Sequence, residues 1–253
     1  MLNRLFLLTI IVGNLQAVHP QISIKYNNGI EAYKNGNYQL AVQEFEDILN
    51  QGWEAPEIYY NLGNAFFRSD EIGEAVWAYE KCLAIKPSHE DAVFNLSLVN
   101  LNVIDRIDLP PPPAYLKIYN SIRNTLMLQE WVFALALVFM LFLFFRCLRI
   151  LFRLKTIRPL ENLFIFFFIL LLLISSHNYY DTQTTNDAII FAPVVVAYSE
   201  PNEYSTRVME IHEGLKVMAI DEADDWIEIE LLDGKKGWIK SFQLKKLSEL
   251  KSS

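Results

Sequence analysis

The sequence predicts a multidomain membrane protein: all-α helix-turn-helix repeats, a two-helix transmembrane hairpin, and a small all-β barrel at the C-terminal end. Three observations predict it. Residues spaced by 34 recur in the first part of the chain, two apolar segments without basic residues follow, and the last part switches to short β-rich runs.

The hairpin sets the layout. Its first segment, Leu128 to Phe145, is LQEWVFALALVFMLFLFF, whose one charge is Glu130 near the outer edge. At ~1.5 Å per residue a segment of this length covers ~27 Å, about the thickness of a bilayer core. The second, residues 160–180, carries an unbroken apolar run from Leu163 to Ile174. Between them, residues 146–159 hold Arg146, Arg149, Arg153, Lys155 and Arg158 and no acid. Short loops of this kind stay cytoplasmic, which would place both soluble parts on the far side of the membrane. Trp131 and the Tyr179–Tyr180 pair fall at the outward ends, where an aromatic belt belongs.

The net charge is −8, with 6 basic and 14 acidic residues from Val18 to Leu109 and 8 and 12 from Ala188 to Ser253. No soluble part has the basic footprint of a nucleic-acid binder or of a protein that docks on anionic headgroups. Of the two cysteines, Cys82 reads as a buried core thiol, and the layout puts Cys147 on the opposite side of the membrane. No metal-ligand cluster, nucleophile elbow or phosphate-binding glycine loop is present, so the sequence predicts neither catalysis nor a cofactor.

In chain order, residues 1–17 (MLNRLFLLTIIVGNLQA) have a basic Arg4, an apolar stretch and a small Ala17, the pattern of a secretory signal peptide. Cleaved or retained as an anchor, it leaves the same topology. Residues 18–109 carry the repeat. Asn27 and Asn61, Gly29 and Gly63, Ala41 and Ala75, and Phe45 and Tyr79 each recur at 34, and Asn95 and Ser97 continue the series. The glycines allow close helix approach and the alanines fill the crossing. Tyr26, Ile30 and Tyr33, then Tyr60, Asn64, Phe67 and Arg68, then Phe94, Leu98 and Leu101 share successive helix faces. The segment from Glu90 to Ile107 reads as one long helix.

Residues 110–127 begin with the polyproline stretch Pro110–Pro113, a semi-rigid spacer. Tyr115, Ile118, Tyr119, Ile122 and Leu126 then form one apolar stripe, which suits an interfacial helix on the outer leaflet or a plain linker. Residues 181–253 open with a polar linker to Asp187. Five strand-like runs follow: Val194–Tyr198, Val208–His212, Leu215–Ile220, Trp226–Leu231 and Gly237–Lys240. Turn signals such as Asp233–Gly234 separate them.

These motifs support resemblances. The 34-residue register resembles the tetratricopeptide repeat family, with two full repeats and a third opening helix. That likeness implies a protein-binding groove along Tyr26, Asn27, Ile30, Tyr33, Tyr60, Asn61, Asn64, Phe67, Arg68, Phe94 and Asn95. The asparagines would stand along its edge, and the groove is aromatic and nearly uncharged. Gly214, Trp226, Asp233–Gly234 and Gly237–Trp238 resemble the bacterial SH3-like domain, with Tyr198, Trp226 and Trp238 as its candidate surface. The whole order of modules resembles the BatE branch of the Bacteroides aerotolerance (Bat) family. That resemblance implies an inner-membrane adaptor whose partners are von Willebrand A-type Bat proteins and a MoxR-type ATPase system. A cell-wall sensor acting through the barrel is the alternative.

Overall fold

The computed structural model describes residues 20–105, 107, 110–153 and 155–247. The signal-peptide segment, residues 1–17, lies outside the described residues. Helices α1 (Pro20–Lys34), α2 (Tyr38–Asn50), α3 (Pro56–Arg68), α4 (Ile72–Ile85) and α5 (Glu90–Val99) form the repeats. α1 packs antiparallel on α2 and α3 on α4, because the glycines of the register admit an aromatic ring against bare backbone. A Cβ on Gly29 would lie 2.7 Å from the Phe45 ring, and one on Gly63 would lie 2.8 Å from the Tyr79 ring. Ala41, Ala75, Phe45 and Tyr79 are completely buried. Cys82 is completely buried with them, and burial pushes its thiol up to about 12.

α5 is shorter than the sequence suggests. It ends at Val99, and a turn through Leu101 and Asn102 sends the chain away from the helix axis. That turn lets Val103 enter the repeat core, where it lies against Gly214 of the β domain, and it brings Asp105 to His212. Burial of Val103 and the bond to His212 outweigh a further turn of helix.

After α6 (Ala114–Arg123) come two long apolar helices, α7 (Leu128–Phe152) and α8 (Arg158–Thr184), each long and apolar enough to cross a membrane. Both overrun the segments read from composition. Arg146 and Arg149 continue α7 instead of entering a loop, because Glu161 on α8 draws them in. Arg149 Nε lies 2.7 Å and Arg146 3.8 Å from the buried Glu161 carboxylate. Left-handed Arg153 ends α7, and a single 3-10 turn, Lys155–Ile157, leads into α8. Ring contacts Phe139–Phe168 and Phe145–Phe164, both at 5.3 Å, hold the hairpin closed. At the end of the hairpin away from the 3-10 turn, α6 is tied to α8 by Arg123–Asp181 at 2.7 Å and by Tyr119 Oη to His177 Nδ1 at 2.5 Å. Trp131 Nε1 donates to the Arg123 carbonyl. The Tyr115, Ile118 and Ile122 side chains of α6 stay exposed.

The C-terminal domain is a seven-stranded antiparallel sheet, two strands more than the five read from sequence. In chain order its strands are β1 (Asp187–Ile190), β2 (Val194–Tyr198), β3 (Arg207–His212), β4 (Lys216–Ala223), β5 (Trp226–Glu230), β6 (Lys236–Lys240) and β7 (Leu244–Lys246). They pair in the order β3-β2-β6-β5-β4-β1-β7. β1 and β7 are the additions. The stretch read as a polar linker is the end of α8 followed directly by β1.

Candidate partner-binding faces and the joint between the domains

β1 explains how the two soluble domains meet. Ala188 and Ile190 face the core of the β domain, whereas Ile189 between them belongs to the core of the repeats. A strand buried on both faces needs a continuous apolar run instead of alternation, and Ala-Ile-Ile-Phe is such a run. α4 receives it. A Cβ on Gly73 would lie 2.9 Å from the Ile190 carbonyl oxygen, so this glycine lets helix and strand backbones touch. Trp77 Nε1 donates to the Lys246 carbonyl at 3.1 Å, and Lys81 Nζ to the Leu247 carbonyl at 3.1 Å. These donors satisfy carbonyls of the β7 edge, so α4 covers one open edge of the sheet.

Charge reinforces the joint. Lys216 Nζ lies 3.0 Å from both Glu80 of α4 and Asp187 of β1. Burial pulls the Lys216 ammonium down, but Glu80 and Asp187 together hold it above its ordinary value. Glu74 is the opposing element. Burial raises its carboxyl above the usual carboxylate range, with Glu71 and Glu213 adding repulsion. An acid raised in the folded state stabilises fully below its unfolded value, and that contribution is lost as pH rises through the raised value. Glu74→Gln should therefore raise the melting temperature at neutral pH and flatten the change in stability on the acid side. A melting temperature lower than that of the parent at neutral pH would contradict this.

α4 has its other side against α3 and α5, and there the residues of the predicted groove gather. Asn61 Nδ2 donates to Tyr26 Oη at 2.9 Å, and Asn64 Oδ1 accepts from Tyr79 Oη at 2.6 Å and from Asn95 Nδ2 at 2.8 Å. This ladder links the three first helices α1, α3 and α5. Tyr60 stacks on His89 at 4.8 Å, and Tyr33 meets Tyr38 edge-on. Ile30 and Phe67 are half-buried against the repeat core, and Phe94 is 61% exposed.

Asn27 and Arg68 sit differently from the others. Asn27 is exposed and makes none of these bonds, and Arg68 lies over the Tyr38 ring at 4.7 Å. The amide nitrogens of Asn61 and Asn95 are engaged inside the repeats, so the contact they offer a guest narrows to their oxygens.

On the β domain, Tyr198 pairs directly opposite Trp238, and its ring meets Trp226 edge-on at 5.7 Å. The three share one outer face, as alternation requires. Lys240 Nζ covers the Trp226 ring at 4.2 Å, and Trp226 is buried. Its face is packed by its own neighbours.

The joint itself was missed from sequence. Gly73, Trp77, Val103 and Gly214 are scattered through it, and only the apolar run of β1 marks it locally.

Comparison with known proteins agrees with the two modules. Residues 192–246 match the bacterial SH3 domain family, and residues 56–89 match the tetratricopeptide repeat family. Among curated proteins, the chain is similar to the peroxisomal targeting signal receptor of Saccharomyces cerevisiae, 26% identical over 93 residues. That match covers 37% of this chain and 15% of the yeast protein. The chain thus joins tetratricopeptide repeats and a bacterial SH3-like sheet to two apolar helices long enough to span a membrane.

Proposed function

We propose that the protein is an adaptor of the BatE type, anchored in the bacterial inner membrane by α7 and α8. The basic stretch of residues 146–159 faces the cytoplasm in this reading, and both soluble domains lie in the periplasm. Its work is binding, not catalysis. The repeat face holds a segment of a partner, which the module order suggests is a von Willebrand A-type Bat protein or a component of a MoxR-type ATPase system. The observation that carries this reading is the asparagine–tyrosine ladder beside half-exposed Tyr60, Phe67 and exposed Phe94, on the side of α4 away from the docked sheet. Backbone recognition by side-chain amides beside aromatic surface is a recurrent way to hold a peptide. The likeness to a targeting-signal receptor supports it.

Changing Tyr60, Asn64 and Phe67 together to alanine should abolish crosslinks between the full-length protein and its membrane partners. A thermal melt of the variant confirms that the fold survives. Retention of every crosslinked partner would overturn the groove assignment. The bacterial SH3 match supports a second reading, a cell-wall sensor, against which stands the coverage of Trp226 by Lys240. Recovery of cell-wall fragments alone, unchanged by the triple substitution, would move the function to the β domain.

A further inference from the structure

In the 34-residue register each first helix has a second helix as partner: α1 has α2, and α3 has α4. α5 opens a third unit, and one repeat length beyond α4 the sequence reaches residues 106–119. Pro110 to Pro113 fall within that stretch. Proline lacks the N–H and clashes with the preceding turn, so no continuous second helix runs through Pro110–Pro113, and helix resumes only at Ala114 as α6. Between α5 and α6 lies instead an open cleft of about 620 Å³, lined also by Pro87, Ser88 and Glu90. Its Val93 and Ser97 stand one repeat length beyond Tyr59 and Gly63, which pack on α4. Val93, Phe94 and Ser97 of α5 form one wall, and Ser121, Asn124 and Thr125 after the prolines form the other. Val93 and Phe94 are half-exposed or more.

We propose that this slot receives an amphipathic helix from a second membrane protein, which completes the third repeat in trans. The repeat itself specifies the occupant. The slot continues the α1–α2 and α3–α4 interfaces, so what fits it is a helix with the small-residue and apolar spacing of Ala41–Phe45 and Ala75–Tyr79. Ser97 narrows the choice. It stands where Gly29 and Gly63 admit a ring within 2.8 Å of a built Cβ, so the guest presents an aliphatic side chain there. The far wall is fixed to the outer end of the hairpin through Arg123–Asp181 and Tyr119–His177, which places the slot beside the membrane surface. The guest helix therefore adjoins its own span. This last point rests on α7 and α8 crossing the bilayer, as proposed above; the slot does not.

The test uses the full chain in lipid nanodiscs and a labelled peptide of residues 38–50 carrying Phe45→Leu, a second helix with an aliphatic residue at the ring position. Fluorescence anisotropy should show saturable binding that Val93→Asp with Ser97→Asp weakens about tenfold or more, equivalent to about 1.4 kcal/mol. Both residues are exposed, so the variant folds, and its circular dichroism melt confirms that. Ser97→Gly should instead improve binding of the unmodified peptide with Phe45. No saturable binding, or equal binding by the Val93 and Ser97 variant, would overturn the slot. A palmitoyl anchor on the peptide should tighten binding further by effective concentration. No gain would overturn the placement beside a span while leaving the slot standing.

Discussion

Trp77→Ala should lower the stability of the purified protein by about 3 kcal/mol, the lower end of the range for removing a buried tryptophan. The side chain is 6% exposed, meets Tyr59 edge-on at 5.8 Å, and donates to the Lys246 carbonyl. Lys245 Nζ lies 3.5 Å from its ring centre. Removal deletes all three contacts and leaves one edge carbonyl of β7 without its donor. An existing cavity of about 670 Å³, lined among others by Tyr59, Lys81, Glu222 and Lys245, adjoins the indole. Water entering there can solvate the carbonyl and moderate the cost, which is why the lower end applies. Trp77→Phe keeps the apolar contact and loses the bond, so about 1 kcal/mol is expected. The melting temperature should fall by roughly 10 °C for alanine and by a few degrees for phenylalanine. Equal effects from the two would mean that the hydrogen bond, not the ring, holds the domains together.

How much of this was legible in the sequence follows from the range of each interaction. The repeats were readable because Gly29, Gly63, Ala41 and Ala75 repeat one local geometry, and a local geometry leaves a period. The spans were readable because lipid demands a long apolar run. The central strands were readable by alternation, as with Val195 and Ala197 inward against Val196 and Tyr198 outward.

β1 was not, because a strand buried on both faces loses the alternation that identifies strands. The short α5 was not, because its end is set by Val103 and Asp105 finding partners more than a hundred residues away in the β domain. The members of the candidate groove could be named from helix faces. Their hydrogen-bond ladder could not, since periodicity predicts which residues are neighbours and leaves open which polar atoms satisfy each other. Arg68 illustrates the limit: it shares a helix face with Tyr60, yet its guanidinium settles on Tyr38 of the preceding helix.

Gly73→Val separates docking from folding. The Cβ would sit 2.9 Å from the Ile190 carbonyl oxygen and 3.3 Å from Phe191 Cα, both backbone atoms that cannot rotate aside. Ile190 O also accepts from Gly214 N at 2.8 Å, so displacing it disturbs the β domain's own turn. Nothing of α3 lies among the nearest atoms, so the α3–α4 pair has no reason to loosen. The expected cost is about 2–3 kcal/mol, confined to the joint. Amide exchange should accelerate along residues 186–191 and 244–247, while amides of α3 keep their protection.

Unchanged exchange in β1 and β7 would show that the close contact is not what seats the sheet. α6 and α8 tether the two domains at the same end of the hairpin, so an undocked sheet stays at high effective concentration and returns. The consequence for function is testable in the same variant. The groove faces away from the joint, so partner crosslinks that depend on Tyr60, Asn64 and Phe67 should survive Gly73→Val. Their loss would mean that the docked sheet holds α4, and through Tyr79 the ladder of Asn64 and Asn95, in its binding geometry.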